Sequence, residues 1–409
     1  MADNSAVRGL GSALGSIGSA LESALTRLGM QSTRLQRRGW LGGFYLAELV
    51  PNLLVVAFGA VVIWSASLTI SDASFPRHMA GIAIGLVVAA LVWRYDYRQL
   101  AGMTKALFVL DVVLMLMPSI PGLGYSALGM TGWVSIPVIG LRFQPSEISK
   151  PVTILLMAAL TSEYNGKIDT LADYLKLCGA LLVPFLLILT QPDLGTGLIV
   201  LVTGATIIIC GGAKRSWVLV TIALIVVGAA LVVVTSMSDG LPHVLKQYQI
   251  NRLVVFMDPS VDPTGDGYNL QQAKIAVGSG GLLGKGIGNA SQAGSGFLPE
   301  AHTDFVFALL SEEFGFVGAL VLLLLFACML FSTISLAMRL ENTFGRLVLV
   351  GVVAMWGFQI LQNIGMCIGI MPITGIPLPF VSFGSSSMIS QLASMGLIQS
   401  VWRYRTKAG

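Results

Sequence analysis

Ten apolar stretches, each close to the length of a membrane-crossing helix, constrain the fold of this chain more than any other feature of its sequence. About 20 apolar residues cross roughly 30 Å of hydrocarbon as a helix, and a helix satisfies its own backbone hydrogen bonds in lipid. The sequence therefore predicts an all-α integral membrane protein with about ten transmembrane helices. The predicted spans are 44-68, 78-93, 103-118, 147-162, 171-190, 195-211, 215-236, 305-334, 344-371 and 378-402.

The composition agrees with a membrane protein. Of the 409 residues, 55% are hydrophobic and 11% are charged, whereas soluble domains average about 25% charged residues. An ordinary water-soluble fold is therefore excluded. The formal net charge of +4 is too small an excess to indicate a nucleic-acid partner, so membrane lipids are the expected surroundings.

The basic residues are divided unevenly between the two sides of the predicted bundle. With the N-terminus in the cytoplasm, 17 of the 24 Lys and Arg residues fall on the cytoplasmic side. The positive-inside rule then favours an N-in, C-in orientation. The 7 cations on the outer side are Arg77, Arg142, Lys150, Lys246, Arg252, Lys274 and Lys285.

The chain divides into three parts along its length. Residues 1-43 form a cytoplasmic leader whose apolar positions recur at three- and four-residue steps, which indicates either an amphipathic helix on the membrane or a poorly ordered tail. Residues 44-403 form the polytopic membrane domain, and 404-409 a cytoplasmic tail. The longest outer connection, 237-304, lies between spans seven and eight, and loops this long are usually functional or disordered.

Two ionisable residues stand at the start of the fourth span. Pro145 and Ser146 are typical of a helix start, and Glu147 and Lys150 then share one helix face at the membrane boundary. An interfacial ion pair with a cap explains them without any function. Ionisable side chains at this depth are costly, so a functional role remains the working hypothesis.

Two aspartates on the outer side precede apolar helices. Asp193 lies between spans five and six, and Asp304 lies directly before span eight. Each is predicted to cap a helix. Alternatively, Asp193 lines a polar cavity with Glu147 and Lys150, and Asp304 can act as a base as well as a cap. His302 either orients the same loop or titrates.

A glycine-rich run at 278-288 is similar to a phosphate-binding loop but fails the nucleotide template, because Ser279 and Gly286 stand where that template requires Gly and Ser or Thr. Its backbone amides, with the nearby Arg252, Lys274 and Lys285, are predicted to present donors to a lipid-linked pyrophosphate. The proline- and glycine-containing segment 369-384 is predicted to be broken helix around the site.

These segments, in this order, resemble the SEDS family (shape, elongation, division and sporulation proteins), whose members RodA and FtsW polymerise peptidoglycan glycan strands. The resemblance spans about 44-403 and is closer to RodA than to FtsW at 272-278 and 363-366. Its motifs are Gln-Pro-Ser-Glu at 144-147, Gln-Pro-Asp-Leu-Gly-Thr at 191-196, the run 267-281, Leu-Pro-Glu-Ala-His-Thr-Asp-Phe at 298-305, and Pro-Ile-Thr-Gly-Ile-Pro-Leu-Pro-Phe at 372-380.

The resemblance implies a glycosyltransferase in the bacterial cytoplasmic membrane that acts in cell-wall elongation and cell shape. It would join lipid II units on the outer face, forming β-1,4 links with inversion and releasing undecaprenyl pyrophosphate. The family's essential carboxylate falls on Asp304, which we expect to be the catalytic base. The remaining site positions are Arg142, Glu147, Lys150, Asp193 and Lys274, with Arg252 as a further candidate for the pyrophosphate clamp.

The resemblance also implies a partner, a class B penicillin-binding protein transpeptidase, whose membrane anchor would dock on spans eight and nine near Leu322 and Leu325. The sequence identifies no cofactor or metal ligand set, although a divalent cation, Mg²⁺ or Mn²⁺, could share the binding of the pyrophosphate. Three other readings stay open: a lipid II flippase, an FtsW-like division polymerase, and a scaffold without catalysis.

Overall fold

The structure is a computed structural model that describes residues 43–127, 130–136, 141–191, 193–237, 247–294 and 296–405. Helices dominate it, as predicted. The predicted leader lies outside the described residues except for Gly43. In chain order the helices are α1 (Leu46–Thr69), α2 (Phe75–Arg94), α3 (Thr104–Leu116), α4 (Pro145–Ser162), α5 (Leu171–Thr190), α6 (Leu194–Cys210), α7 (Arg215–Met237), α8 (Gln247–Met257), α9 (Asp266–Ser279), α10 (Ser291–Gly294), α11 (Val306–Met338), α12 (Thr343–Ile368) and α13 (Ser385–Tyr404).

Six of the described helices are long and apolar enough to cross a membrane: α1, α2, α5, α7, α11 and α12. The other four predicted spans overlap α3, α4, α6 and α13, which are shorter or more polar, and the last of them was predicted to begin seven residues too early. For example, α6 has 17 residues, and α4 begins with ionisable side chains. The chain is therefore a multi-pass membrane protein.

A small sheet departs from the all-α prediction. Strands β1 (Gly124–Ala127), β2 (Met130–Ile136) and β3 (Leu141–Phe143) pair antiparallel in the order β1-β2-β3. They lie in the connection between α3 and α4, and β3 leads directly into α4. The prediction was wrong here because strands of three to seven residues carry too little alternation to stand out beside long apolar helices.

The eighth predicted span, 305-334, is not one continuous helix. The helix α11 is interrupted at Gly315, whose φ of 65° and ψ of −165° are not helical. A buried first portion, 306–314, is thereby separated from a longer portion that is more exposed along its length. Asp304 directly precedes this short portion, so the site is linked to a helix segment that the break at Gly315 separates from the rest of α11.

Glycines allow α2 and α13 to pack closely. A Cβ added to Gly396 of α13 would lie 2.5 Å from the Ala89 carbonyl oxygen of α2. A Cβ on Gly81 would lie 3.1 Å from the Ser385 Cα. Small residues at a helix crossing let two backbones approach in lipid. This contact places the start of α13, and the broken segment before it, against α2.

We predict that Gly396→Ala lowers the free energy of unfolding by about 1–3 kcal/mol, because the new methyl group meets backbone that must shift. The measurement is thermal unfolding of the purified protein in detergent. The matched control is Gly179→Ala, since no atom lies within 4 Å of the added Cβ at that position; it should keep or slightly raise the unfolding temperature. Equal melting of both variants would contradict the close packing.

Candidate functional site

The site lies where the first turns of α4 and α6, the residues before α11, and the broken segment before α13 meet. Gln144, just ahead of α4, donates from Nε2 to Asp193 Oδ2 at 3.3 Å. A Cβ added to Gly375 of the broken segment would lie 3.2 Å from Asp304 Oδ2. The predicted polar residues from distant parts of the sequence are therefore brought to one region.

Asp304 is half-buried two residues before α11 begins. Its predicted capping role is wrong, because Phe305 occupies the N-cap and no side chain caps this helix. The backbone is held instead: Asn363 of α12 donates from Nδ2 to the Asp304 carbonyl oxygen at 2.7 Å. The Asp304 carboxylate therefore does not serve as the helix cap.

The surroundings of Asp304 raise the pKa of its carboxyl group. Burial, followed by the negative charge of Glu300, raises its pKa from 3.8 to about 6, and Asp193 acts in the same direction. The positive charge of Arg252 opposes this shift. A carboxylate with such a pKa can accept a proton near neutral pH more effectively than an exposed aspartate.

His302 orients the loop. Phe383 donates its backbone N–H to the His302 carbonyl oxygen at 2.9 Å, and the two rings pack with centroids 5.4 Å apart. Burial lowers the pKa of the His302 imidazole, so the ring is neutral at physiological pH. Of the two roles predicted for this residue, orientation has the structural support.

Glu147 and Lys150 form a buried ion pair in the first turn of α4. Lys150 Nζ lies 2.7 Å from Glu147 Oε2, and the two side chains are 1% and 4% exposed. The predicted shared helix face is therefore present. Glu147 holds Lys150, rather than Arg142, and Ser390 Oγ of α13 donates to the Glu147 carbonyl oxygen at 2.6 Å.

Asp193 fulfils its predicted capping role. Its Oδ1 accepts a hydrogen bond from the Thr196 backbone N–H at 2.9 Å, which caps α6. Its other carboxylate oxygen faces Gln144. Burial raises the pKa of Asp193, with a smaller contribution from the charge of Glu147, so the two acids are close enough to interact.

Of the three remaining predicted cations, Arg142 and Lys274 are exposed and Arg252 is half-buried. Arg142 of β3 is exposed, with its guanidinium 4.2 Å from the Tyr125 ring centroid. Arg252 of α8 lies 3.6 Å from Asp266 and contributes to the charge around Asp304. Lys274 of α9 is exposed, and its side chain packs against Gly369 at the end of α12, where an added Cβ would clash with it.

The glycine-rich run is not an open phosphate cradle. Lys285 and Gly286 donate their backbone N–H groups to the carbonyl oxygens of Glu312 and Glu313, at 2.9 and 3.0 Å. The Lys285 ammonium lies 2.6 Å from Glu312 Oε1. These donors are therefore already used, and the predicted presentation of this loop to a pyrophosphate is wrong.

Sequence reasoning missed several buried acids. Glu48 and Glu312 are each 0% exposed, and Glu313 and Asp111 are each 1% exposed. All four stand inside apolar runs, and a carboxylate within such a run is the signal that should have drawn attention to them. Within the described residues, no three His, Cys, Asp or Glu side chains come together as metal ligands.

Comparison with known proteins places this arrangement in context. The family model for FtsW, RodA and SpoVE, described as a cell cycle protein, matches residues 47–407. The peptidoglycan glycosyltransferase MrdB of Escherichia coli strain K12 is 35% identical over 361 residues, covering 87% of this chain and 93% of that protein.

Solved structures agree with that match. One, described as "Structural coordination of polymerization and crosslinking by a peptidoglycan synthase complex", has a TM-score of 0.74 and 29% identity, covering 89% of this chain and 99% of the other. The rod shape determining protein RodA of Thermus thermophilus has a TM-score of 0.65 and 27% identity, covering 90% and 99%. The predicted family, with its leaning toward RodA, is confirmed.

The buried ion pair generates a stability prediction. Lys150→Met should lower the free energy of unfolding by about 3–5 kcal/mol, because it leaves the Glu147 carboxylate buried without its cation. The double variant Glu147→Leu with Lys150→Met should recover most of that loss. Thermal unfolding in detergent compares the wild type, Lys150→Met, Glu147→Leu and the double variant, and additive losses of the two single variants in the double variant would contradict a direct pairing.

Proposed function

This chain belongs to the FtsW/RodA/SpoVE family of cell cycle proteins, and from that membership we propose that it is a peptidoglycan glycosyltransferase that polymerises glycan strands from lipid II. The observation that carries the proposal is the half-buried Asp304 within a cluster of polar side chains, where burial and the charge of Glu300 raise its pKa to about 6. The name of the Escherichia coli relative supports the reaction class.

In the proposed reaction, Asp304 accepts the proton of the acceptor 4-hydroxyl as that oxygen attacks the anomeric carbon of the donor sugar. A new C1–O4 bond forms, and the bond from C1 to the pyrophosphate oxygen breaks. Attack on the face opposite the leaving group inverts the α-linked donor to a β-1,4 link. The leaving undecaprenyl pyrophosphate takes the electron pair of the broken bond and its developing negative charge.

We expect three cations, Arg142, Arg252 and Lys274, to meet that charge. Arg142 and Lys274 are exposed and Arg252 is half-buried, and one guanidinium group can bind two phosphate oxygens at once. Lys150 has a different role from the one expected of it, because it is buried against Glu147. That pair holds the first turn of α4, and Asp193 holds the first turn of α6, around the reacting groups. A divalent cation, if one takes part, would add charge neutralisation at the pyrophosphate.

The proposal includes the orientation of the chain. Ten membrane crossings with both termini in the cytoplasm put the site on the outer face of the bacterial cytoplasmic membrane, where lipid II sugars are presented. The excess of Lys and Arg on the opposite side supports this orientation. The role is cell-wall elongation, in line with the RodA relative.

The proposed partner is a class B penicillin-binding protein, because a structural relative is part of a peptidoglycan synthase complex that coordinates polymerisation and crosslinking. A single membrane anchor would dock on α11 and α12. Leu322 is 0% exposed and is therefore unsuitable as a surface residue for that contact, whereas Leu324 is 54% exposed. The face expected from sequence is thus shifted to the side of α11 that carries Leu324.

We predict that Asp304→Asn abolishes glycan polymerisation while leaving the protein folded, because the amide is isosteric but cannot accept the proton. The measurement is gel separation of glycan chains made from lipid II by the purified protein. Asp169→Asn, the same exchange at an exposed residue on the predicted cytoplasmic side, should retain wild-type activity. Polymerisation at the wild-type rate by the Asp304 variant would remove the base assignment.

The charges around Asp304 predict a pH profile. The base works deprotonated, so kcat/KM should fall below pH 6 and reach a plateau above it. Glu300→Gln removes a charge that raises the pKa of Asp304, so the acid limb should move to lower pH. Arg252→Gln removes an opposing charge and should move the limb to higher pH. Shifts of both variants in one direction would contradict this arrangement.

A further inference from the structure

The break in α11 is filled by another part of the chain. At Gly315 the helix loses its regular backbone bonding, and the run 280–286 supplies replacements. Phe316 and Val317 donate their N–H groups to the carbonyl oxygens of Gly281 and Leu282 at 2.9 and 3.1 Å, beside the two bonds that Lys285 and Gly286 donate in return. The loop and the helix therefore complete each other's hydrogen bonding.

Glycine is required at this junction. Gly284 and Gly315 have φ angles of 79° and 65°, a region that side chains rarely adopt. Each Cα also lies against backbone of the opposing segment. A Cβ added to Gly284 would clash with the Glu313 carbonyl group, and a Cβ added to Gly315 would clash with the Gly284 amide nitrogen. The fit is too close for any other residue.

Glu312 fastens the loop with its side chain. This carboxylate is fully buried, and its Oε1 accepts from Lys285 Nζ at 2.6 Å. The same oxygen accepts from the backbone N–H groups of Ser291 and Gln292 at 2.9 and 3.0 Å, and so holds the start of α10. Burying a carboxylate is costly unless it is paired and hydrogen-bonded, so this set of donors is what makes the position tolerable.

Glu313 fastens the other side of the loop to the first span. Its Oε1 accepts from Ser65 Oγ of α1 at 2.5 Å and from the Gly288 N–H at 3.2 Å. Gly288 also donates to Ser65 Oγ at 2.8 Å. Two consecutive acids of α11 therefore bind two ends of one loop.

The same short helix portion carries the proposed base. Residues 306–313 are buried, and Asp304 directly precedes them. At that end the backbone is held by Asn363, at the Asp304 carbonyl, and by Ser382, whose Oγ donates to the Thr303 carbonyl oxygen at 2.6 Å. The contacts of Glu312 and Glu313 restrain the opposite end of this portion, and we expect their loss to make the Asp304 end less well ordered.

We propose that Glu312 and Glu313 are positioning residues that hold Asp304 in place by locking the loop 280–292 into the break of α11. The proposal rests on the proposed function for its kinetic consequence, whereas the lock itself can be measured without activity. The alternative is that these contacts stabilise only the loop 280–292 and do not affect the site. The two readings differ in what happens at residues 300–305 when the lock is weakened.

The experiment compares purified full-length variants. Glu312→Gln and Lys285→Met remove one charge each from the lock, and Lys285→Arg keeps the charge. The matched control is Lys176→Met, because Lys176 is 73% exposed and pairs with Asp173 at 3.5 Å far along the chain from the lock. Each protein is assayed for lipid II polymerisation and for backbone hydrogen–deuterium exchange, at a temperature well below its unfolding transition.

With the lock as proposed, Glu312→Gln and Lys285→Met lower kcat by about tenfold to a hundredfold with KM within about twofold, because the base is misplaced rather than the substrate lost. Lys285→Arg restores most of the rate, and Lys176→Met equals the wild type. Exchange rises in two peptides, 284–292 at the lock and 300–305 at the base.

Faster exchange at 284–292 alone, with unchanged exchange at 300–305 and a normal kcat, would overturn the proposal and leave contacts that stabilise only the loop. Unchanged exchange in both peptides would overturn the lock itself. A wild-type protein without polymerase activity would refute the proposed function instead, and exchange at 300–305 would still decide whether the lock positions Asp304.

Discussion

The cost of placing charge in an apolar medium is the constraint on which the rest of this structure depends. A buried ion must be paired and hydrogen-bonded, or the protein must bear a penalty of several kcal/mol. The chain meets this condition for the Glu147–Lys150 pair and for Glu312 with Lys285 and backbone amides. The buried Glu48 accepts hydrogen bonds from two amides, Gln399 at 2.6 Å and Asn52 at 3.0 Å. For Asp304, burial and the negative charge of Glu300 raise the pKa to about 6.

A second constraint follows from the first, since unpaired backbone groups are also costly in lipid. The functional region is built from helix ends and helix breaks, and distant segments satisfy two of them. The loop 280–286 completes α11 at Gly315, and Asn363 bonds both the Asp304 carbonyl oxygen and that of Ile376 in the broken segment, at 2.7 and 2.8 Å. Irregular backbone can thus lie beside the reacting groups without loss of stability.

The sequence predicted those parts of the fold and site that have a local signal. Apolar runs located the helices, and Pro145 with Glu147 and Lys150 three residues apart located a helix start and its ion pair, both confirmed. The sheet, the break at Gly315 and the partners of Glu312 were missed, because they depend on pairing between segments far apart in the chain. The face of Leu322 was wrong for the same reason: an apolar helix in lipid gives no sign of which side packs against protein.

The central claim is that the polar cluster around Asp304 carries out chemistry rather than transport, and detergent micelles test it because they leave no second compartment. The measurement is glycan chain length after incubation of the purified protein with lipid II in detergent, alone and with a class B transpeptidase. The account predicts polymer and released undecaprenyl pyrophosphate. The absence of polymer in both samples, together with lipid II movement across vesicles that contain the protein, would contradict it.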